Sequence, residues 1–412
     1  MIYRIIESCP KFVDLTNPEH LELLKEIVKS ILIEYADLQK IEELEKELIS
    51  KNDKSLIFIL LAIKIARSKM IIEKIKEPVT ISVVFAVYKE HNRIRKNSEH
   101  PHGEDFLLRK VSQLKWLLDD FPNFKWELIV VDDGCPEKSG KIAQDLIDSE
   151  NLNDQVRVLY LEEAIDQKLA IVNSLSSTSE SQKGGAVIYG MWQAVSQNED
   201  ENHIVIYTDA DLSTHLGQVG LLIGPLLREN KSVAIASRRE KTSVVIKKGT
   251  RNNRGKLFIY LWKRLIPNLG SVIDTQCGFK AFKKEIINKI ISDLIEMKFA
   301  FDIELLLKAQ LIKENSIAKV PIAWIDSEEA STTTDIQPYL PMLKSIVEMY
   351  RKYLSQNQIS DEFASFIESL TEEEFNKILN NIPAAIVNRE PLEYAEFKAV
   401  SAADLIKCVG GV

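Results

Sequence analysis

The run His203-Ile204-Val205-Ile206-Tyr207-Thr208 ends in Asp209-Ala210-Asp211. Six mostly apolar and β-branched residues predict a buried strand, and two carboxylates one residue apart stand where that strand turns outward. Such a pair suits a hard divalent cation, Mg2+ or Mn2+, shared with the phosphate oxygens of a nucleotide-activated substrate. A plain polar turn is the competing reading, because Asp-x-Asp is a frequent pattern. Its place after the fourth of a series of candidate strands makes it informative.

That series begins after Pro78. Short β-branched runs at 81–87, 126–131, 156–160, 203–208 and 232–237 alternate with amphipathic stretches, notably 185–195 and 216–228. This is the pattern of an α/β domain with a mostly parallel sheet. In open α/β sheets ligands bind beyond the carboxyl ends of the strands, so the loops after Val87, Val131 and Thr208 should converge on one crevice. They bring Tyr88 and Glu90, Asp132 and Asp133, and Asp209 and Asp211. Two longer loops, the histidine-containing 92–105 and the serine-rich 174–182, are expected to be mobile surface segments.

Before Pro78 the chain reads as helical, with Glu/Lys pairs spaced for helix faces in Ile41-Glu42-Glu43-Leu44-Glu45-Lys46-Glu47-Leu48. From about Tyr339 onward it reads as helical again, including the acidic Glu372-Glu373-Glu374. The expected units are therefore an α-helical 1–77, a catalytic 78–335 and an α-helical 336–412.

At 412 residues, 45% hydrophobic and 28% charged, the chain should form a soluble globular protein with more than one small core. A net charge of -8 argues against a general nucleic-acid binder, which needs a basic surface to neutralise phosphates. The four cysteines, Cys9, Cys135, Cys277 and Cys408, lack a paired metal-ligand spacing, and no secretory signal is recognisable, which predicts a reducing cytoplasmic setting. The most apolar stretch, Leu56 to Ile63, is far short of the roughly 20 residues that span a bilayer. A lipid substrate would have to be reached from the membrane surface by peripheral contact.

The remaining motifs each carry two readings. In Val130-Val131-Asp132-Asp133-Gly134 a strand-end carboxylate can accept from a nucleobase N–H or a ribose hydroxyl, or it can cap the next helix, the commoner role. Lys183-Gly184-Gly185 ahead of a helix can cradle phosphate or simply make a glycine turn, and it is not a P-loop. Arg238-Arg239, Arg251 and Arg254 can clamp phosphates or stay solvated. The basic and apolar 256–265 segment can rest on a membrane, although a core helix is the more frequent outcome. His215 can approach a metal or donor, or lie at the surface. With neither a dinucleotide Gly-x-Gly-x-x-Gly nor a Ser-His-Asp signature, hydride transfer is disfavoured.

Five motifs in order are more specific than any one: Val84-Phe85-Ala86-Val87-Tyr88-Lys89-Glu90, Val130-Val131-Asp132-Asp133-Gly134, Lys183-Gly184-Gly185-Ala186-Val187, Thr208-Asp209-Ala210-Asp211-Leu212-Ser213-Thr214 and Asp274-Thr275-Gln276-Cys277-Gly278-Phe279-Lys280. Together, over roughly residues 80–325, they resemble the family 2 inverting glycosyltransferases, in particular the branch of dolichyl-phosphate glucosyltransferases and polyprenyl-phosphate mannosyltransferases. The resemblance implies an A-type glycosyltransferase fold. It implies that Tyr88, Glu90, Asp132 and Asp133 lie around the nucleoside of a nucleotide sugar, that Lys183, Gly184 and Ala210 lie near the donor, and that Asp209 and Asp211 hold Mg2+ or Mn2+. It places Asp274, Gln276 and Phe301-Asp302-Ile303-Glu304 on the sugar and acceptor side, and makes Arg238, Arg251 and Arg254 candidates for phosphate contacts. Two positions depart from the pattern: Ala86 stands where much of the family has proline, and Ser213 where some relatives have glutamine.

The implied reaction is attack of an acceptor oxygen on the anomeric carbon of a hexose, with inversion and departure of the nucleoside diphosphate. A lipid phosphate acceptor is already an anionic nucleophile, whereas a hydroxyl of a soluble acceptor needs a base, for which Asp302 is the candidate. Asp302, Asp211 and Arg254 are thus the expected catalytic residues. The alternatives are a sugar-1-phosphate nucleotidyltransferase, which normally carries a glycine-rich basic signature near its first strand, and a non-catalytic sugar-nucleotide-binding protein.

Overall fold

The structure is a computed structural model that describes residues 5–7, 9–246, 252–326 and 338–410. Arg251, and the boundary expected at 335/336, lie outside the described residues. Nine strands are described: β1 (Val79–Val87), β2 (Phe124–Asp132), β3 (Val156–Tyr160), β4 (His203–Thr208), β5 (Val233–Ser237), β6 (Val244–Ile246), β7 (Phe279–Lys283), β8 (Ile317–Pro321) and β9 (Ala323–Ile325). Seven form one sheet in the order β3-β2-β1-β4-β7-β5-β8, while β6 and β9 pair separately. All neighbours in the large sheet are parallel except β7, which runs antiparallel to both β4 and β5. This is the mostly parallel α/β sheet of an A-type glycosyltransferase fold, with helical additions at both ends.

Strand alternation builds two cores. Along β1, Ile81, Val83, Phe85 and Val87 face one side and Val84 the other; along β4, Ile204 and Ile206 oppose Val205 and Tyr207. The first core is closed by helices α1 (Pro18–Glu34), α2 (Leu38–Ser50), α3 (Ile57–Glu73), α4 (Phe106–Leu118) and, after α5 (Ser139–Ser149), α6 (Leu161–Asp166) and α7 (Gly184–Ser196), by α8 (Val219–Arg228). The second is closed by α7, α9 (Asn252–Leu265), α10 (Lys284–Ile290), α11 (Phe301–Ile312) and the C-terminal helices α12 (Tyr339–Tyr353), α13 (Gln358–Ser369), α14 (Glu372–Asn380), α15 (Ala384–Val387) and α16 (Ala402–Gly410).

Local chemistry starts these helices where the sequence allows. Asn17 caps α1, its side chain accepting from Glu19 N at 2.8 Å, with Pro18 at the first helical position. The acidic Glu372-Glu373-Glu374 is the first turn of α14, where Thr371 and Glu374 form a capping box and the helix dipole favours negative charge. The apolar 56–63 run opens α3, which lies between α1 and α8; inside it the buried Lys64 pairs with Glu45 and donates to Pro321 O at 2.9 Å. Helix α3 packs tightly on α8 at a glycine: Gly220 N donates to the Ser68 side-chain Oγ at 2.8 Å, and a Cβ at Gly220 would lie 2.2 Å from Ser68 O. The 256–265 segment is a core helix, with Leu257, Tyr260, Leu261 and Trp262 buried under the C-terminal helices. Among the described residues no helix is long and apolar enough to cross a membrane.

Candidate active site

Register sets the crevice. Val87 pairs with Asp132 and Val84 with Tyr207, so the ends of β1, β2 and β4 open on one edge. Antiparallel β7 arrives from the other side with Phe279 opposite Thr208, which brings Gly278 against the Asp209 turn. Asp209 N donates to Gly278 O at 3.1 Å, and a Cβ built on Gly278 would lie 2.3 Å from both Asp209 carboxylate oxygens. Any side chain at 278 would push the Asp209 carboxylate aside.

The two carboxylates of the triplet are each met by a cation. Asp209 Oδ1 forms a close ion pair with Lys183 Nζ. Burial works to raise the Asp209 pKa, but Lys183 together with Lys280 and Arg238 outweighs it and the net direction is down. Asp211 Oδ1 accepts from Ser213 N at 3.0 Å, its Oδ2 lies 3.9 Å from Arg93 Nη2, and its main-chain oxygen accepts from Lys110 Nζ at 2.7 Å. Lys110 is wholly buried, and burial drops its pKa to about 8. The side chains of Asp209 and Asp211 remain 35% and 27% exposed, so both are reachable from the crevice. Between them Ala210 is buried.

Arg93 was not singled out by the sequence. It lies in the 92–105 loop, expected to be a mobile surface segment, yet it is buried and bridges two carboxylates: Nη1 to Glu90 Oε2 at 3.1 Å, Nε to Glu104 Oε1 at 3.0 Å. Both ends of that loop are therefore anchored in the protein. The 174–182 loop is likewise anchored by Ser181, which is buried and accepts from Ala186 N at 3.1 Å. Burial pushes Glu90 up to about 7 despite the pull of Arg93. Tyr88 stands 46% exposed at the lip.

Asp132 has both carboxylate oxygens engaged by backbone, from Cys135 N at 2.8 Å and Gly140 N at 2.6 Å, so it shapes the turn into α5. Its neighbour Asp133 is different: Oδ2 accepts from Lys183 N at 2.7 Å, while the buried Oδ1 takes no backbone donor and has only the Ser181 hydroxyl nearby. Burial lifts this carboxyl to about 6. The start of α7 is not an open cradle. Gly185 N donates to Met297 O at 2.8 Å, and the space beside Gly184 is filled by Lys298 O, 2.4 Å from where a Cβ would be. The two glycines serve close packing, and the Lys183 side chain is what reaches the crevice.

On the β5 and β7 side, Arg238 grips Asp274 three times, through its main-chain N, Nε and Nη2, each at 2.8 Å. Burial opposes ionisation of Asp274, but Arg238 outweighs it and holds the carboxyl well below the usual range. Gln276 Nε2 is buried and without a partner. Asp302, in the first turn of α11, accepts from Lys280 Nζ at 3.0 Å; burial drives Asp302 well up and Lys280 down to about 7. Glu304 turns away from the crevice and accepts from Ile295 N, Glu296 N and Tyr353 Oη. Arg254 is exposed in the first turn of α9 and makes no hydrogen bond or ion pair with Asp209, Asp211, Asp274 or Asp302 among the described residues. His215 is neither at the surface nor at the triplet carboxylates: it is buried, with Nδ1 accepting from Gly217 N at 2.9 Å.

Comparison with known proteins fits this architecture. The glycosyl transferase family 2 model matches residues 82–291. A human dolichyl-phosphate beta-glucosyltransferase is 28% identical over 243 residues, 57% of this chain and 66% of that protein, and its Drosophila melanogaster counterpart is 28% identical over 282 residues, 66% and 75%. The chain thus spans just under two thirds of the human relative. Among solved structures, glucosyl-3-phosphoglycerate synthase of Mycobacterium tuberculosis is 18% identical, covering 72% of this chain and 87% of that one with a TM-score of 0.46. That synthase has been crystallised with Mn2+ and uridine diphosphate.

Proposed function

Because the chain belongs to glycosyl transferase family 2, we propose that it is an inverting hexosyltransferase using a nucleoside-diphosphate sugar and a polyprenyl phosphate acceptor. Family membership makes it a glycosyltransferase enzyme rather than a nucleotidyltransferase or an inert binding protein. The observation that carries the finer reading is the facing of Asp209 and Asp211, both part-exposed, toward a crevice walled by Lys183, Arg93, Arg238 and the Asp302–Lys280 pair.

Two carboxylates reachable from solvent are an all-oxygen donor set and fit Mg2+ or Mn2+. Among the described residues no third His, Cys, Asp or Glu completes a site, so phosphate and water oxygens would supply the rest of the shell. Such an ion, when bound, neutralises charge on the departing diphosphate. Lys183 is placed to move from Asp209 to that diphosphate. Asp133 Oδ1, Glu90 and Tyr88 border the nucleoside end, and Asp133 is the better acceptor for a base or ribose donor, because Asp132 is already occupied by backbone. Arg238, fixed by Asp274, presents its guanidinium on the acceptor side.

A phosphate acceptor needs no proton removed, which suits a site where Asp302 is tied to Lys280 rather than free to act as a base. The names of the curated relatives support the same acceptor class. Contact with the lipid from the membrane surface is part of the same proposal. The proposed catalytic unit is 78–335, flanked by helical units 1–77 and 336–412.

The test is to incubate purified protein with a panel of sugar nucleotides and Mn2+, with dolichyl phosphate in detergent or with a soluble phosphorylated hydroxyl acceptor, and to follow nucleoside diphosphate release. Release that depends on dolichyl phosphate is expected. Turnover only with the hydroxyl acceptor would overturn the acceptor, and no turnover or donor binding under any condition would overturn the donor reading.

A further inference from the structure

The main chain of Lys183 is fixed where its side chain is not. Gln182 and Lys183 stand in succession at φ 42° and 89°, a region that residues with side chains rarely adopt, and Lys183 N is held by Asp133 Oδ2 at 2.7 Å. Beyond them Gly185 N is bonded to Met297 O. This backbone aims the lysine across the crevice, where its side chain stays 32% exposed and its ammonium pairs with Asp209 Oδ1. That ammonium is the one hydrogen-bond donor that either Asp209 carboxylate oxygen receives among the described residues. Asp302 and Asp211 also attract it.

An ammonium seated on one carboxylate and facing two more stands where a divalent cation would stand, and two positive charges at such a spacing repel. Asp211 is not blocked in this way, since Arg93 Nη2 is 3.9 Å off and donates to Glu104 Oε2 at 3.1 Å. Lysine is a point charge on a flexible stem, so the ammonium can pass from Asp209 to other anionic oxygens. A nucleoside diphosphate in the crevice brings several.

We propose that Lys183 is a latch on the metal site: in the nucleotide-free protein its ammonium holds Asp209 against a divalent cation, and a nucleoside diphosphate opens the site by drawing the lysine onto its own phosphate oxygens. This rests on the donor reading above and adds an order of events to it. The metal enters with or after the nucleotide, and it leaves when the departing nucleoside diphosphate lets the lysine return to Asp209.

The full chain is titrated with Mn2+, the free ion being followed by its electron paramagnetic resonance signal, first alone and then with saturating uridine or guanosine diphosphate. Wild type should bind Mn2+ weakly alone and far more tightly with one of the nucleotides. Lys183→Met removes the ammonium, and Lys183→Gly removes it while also suiting the positive φ. Both should keep the wild-type circular dichroism and bind Mn2+ alone about ten- to a hundredfold more tightly, the worth of the charge-assisted hydrogen bond that the metal no longer has to break. The gain in Mn2+ affinity brought by nucleotide should shrink by a similar factor. Wild-type affinity for Mn2+ alone in either folded variant overturns the latch, and so does tighter binding with an undiminished nucleotide gain, which would be a general charge effect. If neither nucleotide draws Mn2+ to the wild type, the donor reading falls and the latch falls with it.

Discussion

Gly278→Ala is the substitution that most directly tests the proposed metal role, because it acts on Asp209 without touching its charge. The added Cβ would lie 2.3 Å from both carboxylate oxygens, where contacts under 3.0 Å are essentially never seen. The carboxylate must therefore retreat by about 0.7 Å or more, and the main-chain bond from Asp209 N to Gly278 O keeps the two segments from simply parting. Metal ligation tolerates displacements of about 0.2 Å, and misplacing a reacting group by about 1 Å can cost about a hundredfold in rate. We expect Mn2+-dependent turnover to fall by about 30- to 100-fold. Overpacking should cost no more than about 1–3 kcal/mol of stability, since Gly278 does not occupy the left-handed region that would strain alanine. Turnover with saturating nucleotide sugar, calorimetric titration of Mn2+ with the nucleoside diphosphate, and thermal unfolding measure the three quantities. Wild-type turnover together with wild-type Mn2+ affinity in Gly278→Ala would refute the reasoning.

Asp211→Asn keeps an oxygen for Ser213 N but loses a charge, and should abolish metal-dependent turnover while leaving the circular dichroism and melting temperature close to wild type; a fully active variant removes Asp211 from the site. Lys280→Met strands the Asp302 carboxyl in the interior, and breaking a buried pair costs about 3–5 kcal/mol. Chemical denaturation of the variant should show that loss, with much of it recovered in the double variant Lys280→Met, Asp302→Asn; an unchanged midpoint in the single variant counts against the pair. His215 has a folded pKa of about 3 against an ordinary value of 6.5, so between these values the unfolded chain binds the extra proton and stability falls as pH drops through the window. His215→Asn should therefore lose less melting temperature than wild type between pH 7.5 and pH 5, and identical pH dependence in both would show that His215 does not titrate as its surroundings dictate.

Strands β1 to β5 were legible because their β-branched and apolar runs stand out: 156–160 and 203–208 coincide with β3 and β4, and the others differ by a residue or two at their ends, whereas the parallel β6, β8 and β9, short or broken by Lys319 and Pro321, were not read. Strand β7 was not, since Phe279-Lys280-Ala281-Phe282-Lys283 carries a buried lysine whose charge is met from α11, a contact distant in sequence. The Asp209 and Asp211 positions could be read because local order, strand then turn, places them. Their partners could not. Arg93 and Lys110 reach Asp211 from a loop and a helix more than a hundred residues earlier, and nothing in a polar loop sequence distinguishes an arginine that folds inward. Asp132 shows the opposite limit. Its motif left both a helix cap and a ligand open, the family resemblance implied the ligand, and the geometry shows Cys135 N and Gly140 N already taking both oxygens.

The tight glycine contact between α3 and α8 bears on where this chain can be divided. Family descent marks out residues 82–291, but α8 lies inside that span and leans on Ser68, outside it, with no room for even a methyl group between them. Ile65 of the same helix lies 3.2 Å from where a Cβ of Gly217 would stand, six residues after Asp211. A recombinant fragment cut to the inherited span would expose a strip of α8 to water and remove the backing of the Asp211 turn. The unit that evolution copied and the unit that can be purified and assayed are therefore different lengths of polypeptide, and fragments for functional work should retain α1 to α3.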